Sequence, residues 1–220
     1  GASTQLLKFA EQLKAPVSCS LMGIGSFPED NALFTGMLGM HGSHCSNYAA
    51  SQCDLLIAVG ARFSDRVISC KESFAPYAKV IHIDIDSAEI GKNVDVQLPL
   101  CGDVKCILEL LNININKREY SEWNTQIDKW KSSYKAVYKE RSCLSPKLIL
   151  ETLCTLSKGE CIITTEVGQN QIWTAQYFTF NEPRMFLSSG GLGTMGYGLS
   201  AAIGAAFGKP HKRVDRKSVV

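Results

Sequence analysis

The sequence predicts an α/β protein made of tandem three-layer, parallel-sheet (Rossmann-like) domains, the second incomplete at its C-terminal end. Three observations lead there. Short apolar runs ending in turn-forming residues recur along the chain, as in DLLIAVGARF (54–63) and CIITTEV (161–167). Strands buried on both faces read that way. Stretches of helical pattern separate these runs. The last residues, RKSVV, look like the start of one further strand.

PVSCSL (16–21) is the first expected strand, and HCSNYAASQC the helix before DLLIAVGARF. KVIHIDID (79–86) alternates apolar residues until it meets acids, so it too reads as a strand. SAEIGKN is expected as a short helix with Asp86 as its N-cap. DVKCILELLN (103–112) then closes a first domain at about residues 1–115 with helical periodicity. In the polar, aromatic stretch that follows, Trp123, Ile127, Trp130, Tyr134 and Val137 recur at spacings of four and three and form one stripe. Residues 116–144 are therefore expected as an amphipathic helix linking two domains, with a partner-binding or coiled-coil helix as the alternative. Ser145 and Pro146 suit an N-cap and first helical position for KLILETLCTL. They open a second domain over 145–220, with strand CIITTEV, helix GQNQIWTAQYF, strand RMFLSS and a glycine-rich helix.

Composition narrows the function classes. Of 220 residues, 45% are hydrophobic and 20% charged, which is ordinary for a globular protein. A formal net charge of +2 gives no electrostatic footprint for nucleic acid or an anionic membrane. The basic cluster HKRVDRK reads as a solvated end. Nine cysteines, with no CxxC and no cysteine–histidine ladder, argue against zinc. Most stand beside apolar residues, as small buried hydrophobes in a reducing compartment. No signal-peptide pattern is read. The one membrane candidate, Leu192 to Gly208, has 17 uncharged residues but is short for a span and interrupted by glycines. It follows the strand-like RMFLSS, so an α/β crossover helix is expected instead.

In an open parallel sheet, ligands bind beyond the carboxyl ends of the strands, and four stretches fall there. In VGARFSDR, Arg62 and Arg66 flank Asp65; arginines so placed suit a phosphate or a flat ring, or else form a surface ion-pair cluster. Asp84 and Asp86 end a strand, where an acid accepts hydrogen bonds from ribose hydroxyls or caps a helix. LGMHGSH (38–44) sets Met40 and His41 between glycines on a loop. TTEVGQNQIW puts Gly168 and Gln169 at a helix start, where backbone N–H groups can meet an anion. Walker, Ser–His–acid and Cys–His patterns are all missing. The stretch SSGGLGTMGYGLSAAIGAAFGKP (188–210) carries seven glycines. Since each costs roughly 1 kcal/mol in a helix interior, so many ask for a reason.

LMGIGSFPEDNALFTGMLGMHG, DLLIAVGARFSDR, HIDIDSAEIGKN, CGDVK, VGQNQIW and SSGGLGTMGYGLSAAIGA, in this order over nearly the whole chain, resemble the catalytic subunit of the acetolactate (acetohydroxyacid) synthases. These are thiamine-diphosphate enzymes of branched-chain amino-acid synthesis. The resemblance implies condensation of two pyruvates, or of pyruvate and 2-ketobutyrate, with loss of CO2. It also implies a fragment. Gly1–Ala2 would match the start of the family's central domain. The domain bearing the cofactor-activating glutamate would precede it, and the GDG…N motif that holds Mg2+ would follow Val220. No catalytic residue and no metal ligand is then expected within the chain, and the fragment alone would make no acetolactate.

The same resemblance implies FAD, without a net redox role, along Leu21, Met22, His41, Gly42, Gly60, Arg62, Arg66, Asp84 and Asp103. It implies thiamine diphosphate against Gln169, Gly193 and Met195. Gln169 would contact the diphosphate, the Gly193 carbonyl the 4′-amino group, and the Met195 N–H a pyrimidine nitrogen. The Met195 side chain would hold the cofactor bent, and the glycines would let the backbone approach it. Three positions depart from the family's pattern: Ser64 for a usual aspartate, Asn170 for a common histidine and Ser200 for a usual proline. The implied partners are 2-ketoacid substrates, further copies in a homodimer or homotetramer, and a regulatory subunit. The implied location is a plastid, with cytoplasm or mitochondrion as alternatives. Another thiamine-diphosphate carboligase or decarboxylase, such as glyoxylate carboligase, and a non-catalytic flavin-binding remnant remain the competing readings.

Overall fold

The computed structural model describes residues 1–68, 70, 73–133 and 144–217. Tyr134 and Val137 of the expected stripe, and the last residues of RKSVV, lie outside them. The chain divides into two compact units, Gly1–Ser20 with Ala32–Lys135, and Leu21–Asn31 with Ala136–Val220. Relative to the expected spans 1–115, 116–144 and 145–220, the region expected to link the domains contributes a helix to the first unit. Segment 21–31 goes to the second.

The first unit runs α1 (Ala2–Leu13), β1 (Val17–Cys19), β2 (Phe34–Met37), α2 (His44–Gln52), β3 (Leu55–Val59), β4 (Lys79–Asp84), β5 (Leu98–Cys101), α3 (Val104–Asn114) and α4 (Ser121–Ser133). β1 pairs parallel with β2, and β3, β4 and β5 form a parallel sheet in that order. Ala58, Phe63, Ile68 and Val80 make a buried cluster, with Leu56, Val67, Phe74, Val94 and Val96 packed around it. α1 packs on α3, where Leu108 is fully buried and the Asn112 amide donates to the Gln5 carbonyl at 3.1 Å. Ile127 of α4 is buried against Cys45 and Ala49 of α2, with Trp123 and Trp130 beside it. Three members of the expected stripe are thus one packed face.

Two strands escape a pattern reading, and one expected helix does not form. Gly36 weakens the strand signal of β2, yet it sits at φ +110° with the Ser43 side chain where a Cβ would stand. Pro99 weakens that of β5. It is tolerated because β5 is an edge strand, pairing only with β4. SAEIGKN forms turns instead of the expected helix. The Asp86 carboxylate accepts the Ala88 N–H at 2.9 Å, closing a local turn, and Gly91 takes φ +75° four residues on from Ser87.

The second unit holds α5 (Pro146–Ser157), β6 (Ile162–Thr165), α6 (Gln169–Tyr177), β7 (Phe186–Leu187), α7 (Tyr197–Gly208) and β8 (Val214–Lys217). Its parallel sheet has the order β7-β6-β8. All four residues of the central strand β6 are buried, which fits the uncharged, β-branched run IITT. Segment 21–31 opens with a 3₁₀ turn at Leu21–Gly23 and buries Ile24 and Phe27. The Phe180 N–H donates to Glu29 Oε2 at 3.0 Å, and Asn181 Oδ1 accepts the Glu29 and Asp30 N–H groups at 3.0 and 3.2 Å. At α5 the Ser145 hydroxyl accepts the Leu148 N–H at 3.2 Å with Pro146 in the first turn, as the sequence predicts. Ser145→Ala is expected to cost about 1 kcal/mol, read as a lower thermal midpoint of this unit. Among the described residues, no helix is long and apolar enough to cross a membrane.

Candidate functional site

In the first unit, parallel β3, β4 and β5 bring their carboxyl ends to one edge. Gly60 follows β3, donates its N–H to the Ile83 carbonyl at 2.8 Å and takes φ +61°, with open space where a side chain would begin. Asp84 ends β4 and is buried. One carboxylate oxygen accepts the Asp86 N–H at 2.9 Å, and the backbone carbonyl accepts the Gly102 N–H. Asp103 follows β5 and caps α3, accepting the Cys106 N–H at 3.1 Å. That bond holds the Asp103 carboxyl below its ordinary range, while the neighbouring carboxylate pushes the Cys106 thiol up.

The LGMHG loop meets the arginine stretch in the same unit. Gly39 takes φ +106° with the Arg66 backbone where its Cβ would be, and the Met40 N–H donates to the Arg66 carbonyl at 2.9 Å. Asn47 fixes the loop from α2, accepting the Gly39 N–H at 2.9 Å and donating to its carbonyl at 3.0 Å. Arg66 Nη1 lies 4.0 Å from Met40 Sδ. Gly42 packs against the Met37 backbone, with His41 preceding it. The Arg62 carbonyl accepts the Asn93 amide at 3.0 Å. Of the sequence-derived set, Gly60, Arg62, Asp84 and Asp103 follow strands of one sheet, and His41 and Gly42 share a loop pair with Arg66. Leu21 and Met22 belong to the second unit. There the Met22 side chain occupies the space a Cβ at Gly190 would need.

In the second unit, β6 ends in Glu166-Val167-Gly168, and α6 begins at Gln169. Gly168 is the N-cap at φ +118°, with no side-chain cap and nothing within 4 Å of its Cβ position. Val167 Cγ1 comes within 3.9 Å of where a Gly193 Cβ would lie, so this turn flanks the glycine-rich stretch. Two clamps hold that stretch. Upstream, the Ser189 carbonyl accepts the Gly193 N–H at 3.2 Å and its hydroxyl the Thr194 N–H at 3.0 Å. Downstream, the Glu166 carboxylate accepts the Gly196 and Gly198 N–H groups at 2.8 and 3.1 Å. Met195 stands between the clamps, 90% exposed, near Leu192 at 95%.

Beneath the stretch, the Ser188 hydroxyl accepts the Thr165 hydroxyl at 2.8 Å and the Gln171 amide at 2.5 Å. Asn170, next to Gln169, is buried, and its Oδ1 has no hydrogen-bond partner among the described residues. An open helix N-terminus suits an anionic group, and an exposed methionine among glycines suits a flat ring near it. Glu166, Ser188 and Ser189 escaped the sequence reading. Glu166 meets its N–H partners 30 and 32 residues away, and no local pattern signals such a pairing. Among the described residues, no His/Cys/Asp/Glu group has the makings of a metal site.

Comparison with known proteins shows the family. The thiamine pyrophosphate enzyme central domain matches residues 1–111, and the C-terminal TPP-binding domain of the same enzymes matches residues 166–216. The probable acetolactate synthase large subunit of Methanocaldococcus jannaschii is 47% identical over 97% of this chain and 38% of its own length. Acetolactate synthase 1, chloroplastic, of Zea mays is 45% identical over 94% of this chain and 33% of its own. The chloroplastic acetolactate synthase of Arabidopsis thaliana is 44% identical over 95% and 32%. The chain spans about a third of the length of the curated relatives it matches.

Proposed function

This chain belongs to the thiamine pyrophosphate enzyme family, and from that membership we propose that it is part of an acetolactate synthase catalytic subunit. The whole protein would join two pyruvates, or pyruvate and 2-ketobutyrate, into a 2-acetohydroxy acid with loss of CO2. The observation that carries this reading is the exposed Met195 clamped between glycines beside the Gly168–Gln169 turn. Thiamine diphosphate, when bound, supplies the electron sink for decarboxylation and carbon–carbon bond formation. The chain's own residues bind and shape. Gln169 and the N-terminal N–H groups of α6 take the diphosphate, Gly193 gives the backbone close approach, and Met195 offers an apolar wedge.

In the first unit we assign FAD to the carboxyl edge of β3–β5 and the LGMHG loop. Asp84 keeps one carboxylate oxygen for a ribose hydroxyl, and Arg62 and Arg66 suit the diphosphate or the flat ring. In the full-length protein, other segments would supply the Mg2+ ligands and the glutamate that activates the cofactor. Copies paired as a homodimer or homotetramer, a regulatory subunit and a plastid location complete the proposal. The names of the maize and Arabidopsis relatives support the plastid, and the archaeal relative leaves a cytoplasmic alternative.

The full-length protein, given thiamine diphosphate, Mg2+ and FAD, is expected to convert pyruvate to acetolactate in a colorimetric assay. Preference for glyoxylate would replace this reading with that of a different carboligase. In the same assay Met195→Ala is expected to lower kcat/KM by about tenfold or more, a loss of roughly 1.4 kcal/mol of transition-state binding.

A further inference from the structure

We propose that Glu166 is the positioning residue of the cofactor-facing glycine segment, holding Met195 in place from the neighbouring strand. The inference rests on the thiamine-diphosphate reading of that segment. α7 begins at a glycine N-cap, Gly196 at φ +80°, which offers no side chain to its own N-terminal N–H groups, and its first turn has no acid. Glu166, just past β6, supplies both missing functions. Oε2 accepts the Gly196 N–H at 2.8 Å, and Oε1 accepts the Gly198 N–H at 3.1 Å. Its negative charge faces the positive end of the helix.

Two further observations show the clasp to be built. Arg216 of β8 donates Nη2 to Glu166 Oε1 at 3.1 Å, so the carboxylate is oriented from a second strand. That guanidinium, with the two N–H groups, holds the Glu166 carboxyl below the ordinary carboxylate range. At Gly198 a Cβ would lie 2.9 Å from Glu166 Oε1 and 3.1 Å from the Thr165 carbonyl carbon. A side chain there would press on the carboxylate and on the end of β6, so glycine eases this close approach.

The Gly196 N–H shares its peptide plane with the Met195 carbonyl, so fixing one orients the other. With Ser189 holding the upstream side at Gly193 and Thr194, the exposed Met195 sits on a short bridge anchored at both ends. Glu166 acts through that backbone, away from the ligand.

The test compares Glu166→Ala, Glu166→Gln and Glu166→Asp in the full-length protein by three readouts. These are hydrogen exchange in the peptide covering 189–198, thiamine diphosphate affinity from tryptophan fluorescence, and the thermal midpoint. Glu166→Ala is expected to speed exchange at Gly196 and Gly198 at least tenfold and to weaken cofactor binding by a similar factor. Glu166→Asp should recover part of both, with midpoints within a few degrees of the parent. Unchanged exchange, or faster exchange with unchanged affinity, overturns the proposal. If Glu166→Ala does not fold, isosteric Glu166→Gln and Arg216→Met carry the same comparison, each expected to shift exchange and affinity in the same direction by less. A parent protein that binds no thiamine diphosphate at all would sink the reading of the site itself, and the exchange data would then decide the clasp alone.

Discussion

Replacing Gly25 by alanine is expected to destabilise the second unit by about 3 kcal/mol. Gly25 takes φ +78°, where an L-residue costs roughly 1–2 kcal/mol. Its Cβ would collide with the Glu182 carbonyl oxygen, with the carbonyl carbon at 3.2 Å and Pro183 Cα at 3.5 Å. These are backbone atoms, so no side chain can swing aside, and overpacking of that kind adds about 1–3 kcal/mol. With Trp123 and Trp130 of α4 in the first unit replaced by phenylalanine in parent and variants alike, urea unfolding followed by Trp173 of α6 reads this unit alone. Gly191→Ala is the control. With nothing within 4 Å of its Cβ position, it should shift the midpoint little. Equal effects at the two glycines would show that segment 21–31 is not seated against Glu182 in solution.

The second large effect is one of pH. Burial pushes the Glu29 carboxyl up from its ordinary value of 4.5 to about 7, and the Phe180 N–H it accepts offsets only part of that rise. The folded state therefore binds the Glu29 proton more tightly than the unfolded chain does. Its contribution is fully present below pH 4.5 and is lost as pH rises through about 7. At about 1.4 kcal/mol per pH unit, the gap is worth on the order of 3 kcal/mol. Trp173-detected unfolding of the second unit should thus weaken between pH 5 and 8, whereas Glu29→Gln should flatten that profile. A Glu29→Gln protein with the parent's pH dependence would assign the titration to another group. A parent whose stability is level across that range would mean that Glu29 is solvated.

How much of this was legible in the sequence depends on the range of each interaction. The buried central strand β6 announced itself in CIITTEV, and DLLIAVGARF gave β3 in the same way, although β3 lies at the sheet edge and only Ala58 in it is buried; Ser145–Pro146 declared a helix start within three residues. β2 and β5 did not, since Gly36 and Pro99 break the local strand signal and are tolerated only in context: a side chain from α2 beside one, an open sheet edge beside the other. SAEIGKN misled for the opposite reason. Its helical residues are overruled by a turn that Asp86 closes and Gly91 prolongs. At the candidate site, motif resemblance reached Gln169, Gly193 and Met195, which carry it in their own stretches. Glu166 and Ser188 work across strands, pairing with groups far along the chain, and that is information a linear pattern does not hold.

Segment 21–31 also sets a schedule for synthesis. Glu29 finds its Phe180 partner 151 residues later in the chain. At roughly 5–20 residues per second, the ribosome takes on the order of ten to thirty seconds to deliver that partner. Through that interval Ile24 and Phe27, buried in the finished second unit, have no completed core to enter. The nascent chain thus carries an unsatisfied apolar segment whose partners lie in the second half of the sequence, a natural target for a chaperone that binds until α6 and β7 emerge.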